Sequence, residues 1–243
     1  MEKLELIGEI LPGLSVRDER FYLGITGFSR QPSRRERMEK EELLRLRREY
    51  GDPRGLMRKK IALVGSLLRK GGKLLDVGCG TGELIEAVSG FHDFVVGIDV
   101  SNSCVEFCKA RLRHLSGVEI IHASADDIGW LFRREVFNVC TVLDVLEHLQ
   151  DPRSVLKGIH EVLLNRGQIV VTCPNWYDKI EIAARRSPHV RSFSSFGWKK
   201  LLEKSGFQCR TVRAVGFPVL DVEPFAKYLH VLGMCVVIVA EKT

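Results

Sequence analysis

The 243-residue sequence predicts an α/β protein built on a doubly wound, mostly parallel sheet. Three observations predict it. Short apolar runs alternate with helical-period segments of about ten residues, which is the pattern of right-handed βαβ crossovers. A glycine-rich turn follows directly behind the first of those runs. The last two apolar runs suit an antiparallel pair that closes the sheet.

Taken in order, residues 1–32 carry turn signals at Pro12-Gly13, Gly24, Gly27 and Pro32 and read as an irregular arm. From Arg34 to about Tyr50, Leu43, Leu44 and Leu46 suggest an amphipathic helix closed by Gly51-Asp52-Pro53. A second helix, about Arg54 to Leu68, ends at Gly71-Gly72. Then the chain changes character. "KLLDV" is a strand, "TGELIEAVS" a helix, "FVVGIDV" a strand, "NSCVEFCKARLRHL" a helix and "VEIIHAS" a strand. A loop with a short helix spans Asp126 to Arg134. "FNVCTVLDV", "PRSVLKGIHEVLL" and "GQIVVTCP" follow as strand, helix and strand, and the tail adds the helix "SFGWKKLLEKSG" before "QCRTVRAVG" and "GMCVVIVAEK". We expect an N-terminal helical extension over residues 1–59, acting as a cap on the crevice, and one domain over 60–243.

Composition narrows the class. Hydrophobic residues make up 45% and charged residues 28%, enough for a packed core. The net charge of +6 arises largely between Ser33 and Lys60, where Glu and Arg interleave at helical spacing. That mixture reads as a solvated helix face rather than a nucleic-acid stripe. No apolar window reaches the ~18 residues of a spanning helix, and the opening "MEKLELIGEI" is acidic where a signal peptide needs a basic flank, so a cytoplasmic protein is expected. Seven cysteines form no CxxC pair and read as buried small hydrophobes, and no His, Asp and Glu cluster has metal-ligand spacing.

The functional signal is "LLDVGCGTGE", Leu74 to Glu83. Glycines behind a strand let backbone approach a ligand, because Gly lacks a Cβ and tolerates positive φ. Such a turn lies at the carboxyl ends of the strands, where doubly wound sheets bind ligands. A dinucleotide fingerprint spaces its glycines GxGxxG; this loop reads Gly78-x-Gly80-x-Gly82 and has Asp76 in the strand before it. A pyrophosphate is poorly served by that carboxylate. A cationic ligand with an α-amino group and a sulfonium is well served. The second strand ends at Asp99, 17 positions beyond Gly82, where an acid can accept both hydroxyls of a ribose.

With "VVGIDVS", "FNVCTVLDVLEHLQDP" and "RGQIVVTCPN" following in order, residues from about Lys60 to Thr243 resemble the class I S-adenosylmethionine-dependent methyltransferases. "LEHLQDP" and "PHVRSFSSFGWKKLLEKSGF" look most like the small-molecule branch that includes the ubiquinone-type O-methyltransferases. The resemblance implies a Rossmann-like sheet of seven strands in the order 3-2-1-4-5-7-6, the last antiparallel. It implies S-adenosyl-L-methionine as cofactor, with Gly78, Cys79 and Gly80 under the methionine portion, Asp76 near its amino group and Arg58 at its carboxylate. Asp99 and Val100 would hold the ribose side, Ala125 and Asp126 the adenine, and Leu143 would pack beside the cofactor.

Methyl transfer from a sulfonium is an in-line displacement, so holding nucleophile, carbon and sulfur in line is the main task. A hydroxyl acceptor must also lose its proton. His148, just past the fourth strand, is the candidate base. His189, Arg191 and Phe193 fall where relatives carry a substrate-covering segment; His189 and Arg191 suit an anionic acceptor or a solvated loop, and Trp176 and Tyr177 suit an aromatic acceptor pocket or core packing. "CPNW" is unlike the Asn-Pro-Pro-Tyr element that grips a flipped base, which lowers a nucleic-acid reading. The expected function is methyl transfer to a small molecule, at oxygen. The alternatives are an RNA or protein methyltransferase and a non-catalytic cofactor-binding protein.

Overall fold

The structure is a computed structural model that describes residues 10–11, 56–175, 190–215 and 235–243. The expected helix at 34–50, Trp176, Tyr177 and His189 lie outside the described residues. The helices are α1 (Leu56–Leu67), α2 (Glu83–Val88), α3 (Asn102–Leu112), α4 (Ile128–Leu131), α5 (Pro152–Val162) and α6 (Ser195–Lys204). The strands are β1 (Lys73–Val77), β2 (Phe94–Asp99), β3 (Val118–His122), β4 (Phe137–Leu143), β5 (Leu163–Pro174), β6 (Phe207–Val215) and β7 (Cys235–Lys242).

All seven strands form one sheet in the order β3-β2-β1-β4-β5-β7-β6. The pairs β1–β2, β1–β4, β2–β3 and β4–β5 are parallel, and β7 runs antiparallel to both β5 and β6. The expected architecture is thus the observed one. The period-2 alternation of the strands splits the core in two. Leu75, Val77, Cys140 and Val142 face a cluster with α5 and α6, whereas Leu74 and Val139 face a cluster with α1, α2 and α3. Ile10 and Leu11 bury against the first cluster, and the Ile10 carbonyl accepts the Arg133 N–H at 2.9 Å.

Several boundaries differ from the expected ones, and two of them have a clear local cause. The helix expected to run to Leu164 stops at Val162, because the backbone there is already taken by the sheet. Val136 N–H donates to the Val162 carbonyl at 2.9 Å and Leu163 pairs with Phe137. Its start follows the sequence signal, with Asp151 accepting from the Arg153 and Ser154 N–H groups ahead of Pro152. The helix expected from Thr81 begins at Glu83, since Gly82 has φ 82° and closes a turn onto Cys79.

Gly82 also has no room for a side chain. A Cβ there would stand 2.6 Å from Cys108 Sγ and 3.0 Å from Leu112 Cδ1, both on α3. Strain and overpacking then act together. We expect Gly82→Ala to cost about 2 kcal/mol and lower the melting temperature by several degrees; a thermal melt equal to wild type would show that α3 yields without cost.

Candidate active site

The carboxyl ends of β1, β2 and β4 bring the candidate residues together. β1 delivers Asp76, which pairs in register with Thr141 of β4. Both side chains lie on the sheet face toward α1, α2 and α3, and Thr141 Oγ1 donates to Asp76 Oδ1 at 2.6 Å. Asp76 is only 3% exposed. Burial pushes its carboxyl up to about 7; the Thr141 hydroxyl opposes that shift, and Asp99 and Glu83 add to it. A group so placed is short of a cation.

The glycine loop leaves β1 next. Gly78 and Cys79 donate to the Ile98 carbonyl at 2.8 and 3.0 Å, which ties the loop to the end of β2. Gly80 has φ 53°, and a Cβ there would meet nothing within 4 Å, so this part of the loop borders open space. Cys79 turns its side chain into the core and leaves only its backbone for a ligand. The helix that follows is six residues long, with Glu83 and Glu86 in its first turn and Arg111 bound to both. Its start is therefore acidic, which suits a cationic neighbour and not a phosphate.

Asp99 closes the other side. Its Oδ2 accepts the Gly80 N–H at 2.9 Å and its Oδ1 the Ser101 N–H at 2.8 Å. These bonds fix the carboxylate and leave each oxygen a further lone pair for a ligand. Val100 follows with 71% of its surface exposed, an apolar platform beside a polar clamp. At the end of β3, Ser124 caps the turn Ala125–Asp127 by accepting the Asp126 N–H at 3.2 Å. Asp126 is exposed and also receives the Ser124 hydroxyl at 3.3 Å. Leu143 is half-buried at the end of β4.

Other candidates fall differently. His148 is exposed on the turn Leu146–His148, just past β4. Arg58 is exposed on α1. Arg191, expected to face an anionic acceptor, donates instead to the backbone carbonyls of Leu149 and Gln150, while the Val190 and Arg191 N–H groups both reach the Glu147 carbonyl at 3.0 Å. Phe193 packs edge-on against Trp198 at 4.8 Å between centroids. Both residues clamp structure.

Sequence reading misses Lys60 and its pairing with Asp144. Lys60 is 7% exposed, and its ammonium is bonded to the Asp144 carboxylate. The signal is positional: Lys60, Val64 and Leu68 form the buried stripe of α1 and its end at a spacing of four. A lysine inside a charge run but on that stripe is turned inward. Among the described residues, no group of three or more His, Cys, Asp and Glu is arranged to hold a metal ion, and no helix is long and apolar enough to cross a membrane.

Comparison with known proteins converges on one description. A family model described as a methyltransferase domain matches residues 47–212. A protein of Pseudomonas syringae pv. tomato named ubiquinone biosynthesis O-methyltransferase is 37% identical over 108 residues, which is 43% of this chain and 45% of that protein. One of the same name from Pseudomonas aeruginosa is 32% identical over 136 residues, 55% of this chain and 53% of that protein. The chain thus spans about half the length of the curated relatives it matches. Among solved structures, a methyltransferase of Thermotoga maritima, described as a possible histamine N-methyltransferase, superposes with a TM-score of 0.66 at 19% identity, covering 86% of this chain and 98% of that one. At that identity the likeness shows the fold.

Proposed function

Because the chain belongs to the methyltransferase-domain family, we propose that it transfers a methyl group from S-adenosyl-L-methionine to a small-molecule acceptor, at oxygen. One observation carries the cofactor: a buried carboxylate at the end of β1, a glycine loop opening onto free space and an anchored carboxylate at the end of β2. Asp76 takes the cofactor's ammonium and the backbone of Gly78, Cys79 and Gly80 lies under its methionine portion. Arg58 is the residue for its carboxylate. Asp99 takes the ribose hydroxyls. Val100 lies on the ribose side, Ala125 and Asp126 lie at the adenine, and Leu143 packs beside the cofactor. His148 receives the acceptor's proton.

The oxygen acceptor is supported by the names of the Pseudomonas relatives, and the small-molecule class by the interleaved charges of the Ser33 to Lys60 segment. Residues 1–59 act as the cap that shapes acceptor choice, and the protein works in the cytoplasm. The bound cofactor supplies an electrophilic methyl on a neutral leaving group. The chain's task is alignment, which needs Asp76 and Asp99 held still at opposite ends of the loop.

Calorimetric titration with S-adenosylhomocysteine tests this reading, with reduced nicotinamide dinucleotide as control. Micromolar affinity for the first alone is expected; affinity for the dinucleotide, or for neither, would sink it.

A further inference from the structure

The end of β4 carries a polar pair to which the cofactor contacts proposed above give no role. Lys60 is the only Lys or Arg buried among the described residues. Its partner Asp144 is one of three residues other than glycine with positive φ there, at 53°. An aspartate in that region costs roughly 1 kcal/mol and persists because its surroundings fix it. Its N–H donates to the Thr172 carbonyl at 3.0 Å, Oδ1 accepts from Thr172 Oγ1 at 2.8 Å, and Oδ2 meets the Lys60 ammonium. Even so, 34% of the Asp144 side chain remains open.

Lys60 is faced by Asp144 and Glu147 from the β4 side and by Cys235 from β7. Burial alone would lower its pKa; Cys235, Asp144 and Glu147 outweigh burial and raise it. The Cys235 thiol is itself pushed up to about 12 by burial and is neutral at pH 7, so the two carboxylates keep Lys60 charged. An ammonium has three donors, and the bond to Asp144 takes one. The pair also adjoins the glycine loop. Val145, next to Asp144, reaches so near Gly78 that a Cβ there would stand 2.3 Å from Val145 Cγ2. A nucleophile approaching a methyl group held over that loop from the side of β4 and β5 meets Lys60 and Asp144.

Resting on the methyl transfer proposed above, we propose that Lys60 and Asp144 anchor the acceptor's reacting hydroxyl as it loses its proton. The carboxylate accepts the hydroxyl's hydrogen bond and the ammonium stabilises the oxyanion left when the proton departs. That proton passes along this bond to the Asp144 carboxylate, from there to the His148 ring and on to water. The acceptor oxygen then forms the new C–O bond with its electron pair, and the S–CH3 bond breaks with its pair going to sulfur, which leaves as a neutral thioether. Lys60 and Asp144 are catalytic residues in this assignment, because both touch the reacting oxygen.

The test uses 4-nitrophenol, whose absorbance reports its ionisation, bound to the full chain saturated with S-adenosylhomocysteine. Wild type should shift the probe's ionisation about one pH unit or more to lower pH than in free solution, a tenfold gain in the phenolate. Lys60→Met should abolish the shift and weaken binding of the ionised probe at least tenfold. The pair Lys60→Met with Asp144→Asn removes both charges and buries neither alone, so it should fold and also lack the shift. Affinity for S-adenosylhomocysteine should stay within about twofold throughout. An equal shift in wild type and variants, or no probe binding to the loaded wild type, overturns the anchor while leaving the cofactor reading intact. A wild type that binds no S-adenosylhomocysteine overturns both.

Discussion

Asp99→Ala should weaken S-adenosylhomocysteine at least tenfold, and weaken methylthioadenosine, which has the same ribose, by a similar factor. The wild-type carboxylate is preorganised by the Gly80 and Ser101 N–H groups, so a ligand's hydroxyls meet acceptors that need no reordering. Charge-assisted bonds are worth about 1.5 to 3 kcal/mol each, and one of them suffices for the tenfold loss. The substitution also releases the Gly80 N–H, so the loop loses an anchor together with the ligand's clamp. Calorimetry with both ligands checks the result. Undiminished affinity for either would mean that the ribose lies elsewhere.

Asp76→Asn should split those two ligands. Methylthioadenosine lacks the amino acid portion and should bind within about twofold of wild type, whereas S-adenosylhomocysteine should lose at least tenfold. The same substitution should stabilise the unliganded protein, and the pH dependence gives the sign. The folded carboxyl titrates at about 7 against an unfolded value of 3.8. Between those values the unfolded chain has shed its proton while the folded chain keeps it. The stability this group contributes is therefore fully present below about pH 4 and lost as pH rises through about 7. A gap of about three pH units corresponds to about 4 kcal/mol. An asparagine carries no such dependence, and its amide oxygen can still accept the Thr141 hydroxyl. Thermal melts should put Asp76→Asn on the order of 10 °C above wild type at pH 8 and near it at pH 4. A lower melting temperature at pH 8 would refute the assignment of a strained, ionised carboxylate.

Both of these residues are legible in the sequence because their signals are local. Asp76 and Asp99 end apolar runs, and the loop between them advertises itself by glycine. Strand order is not local; it comes with the resemblance, since β7 inserting between β5 and β6 leaves no mark on either strand. The boundary at Val162 escapes the sequence because helix periodicity continues into Leu163, while the sheet claims its backbone. Arg191 looks like an anion binder by charge alone, yet nearby carbonyls of Leu149 and Gln150 satisfy it first. The pairing of Lys60 with Asp144 is hidden for the opposite reason. Their meeting spans 84 positions, and residue type suggests solvent for a lysine that helix position turns inward.

The place of β7 also fixes an order of assembly. Among the described strands β6 has one neighbour, β7, which comes later in the chain. A strand synthesised first must wait for its successor before it can pair. Until Cys235–Lys242 slots against β5, the edge of β5 presents unpaired backbone groups to any passing strand. The vulnerable interval in this protein's biogenesis is then the one between completion of β5 and arrival of β7, and a chaperone that shields that edge would act there.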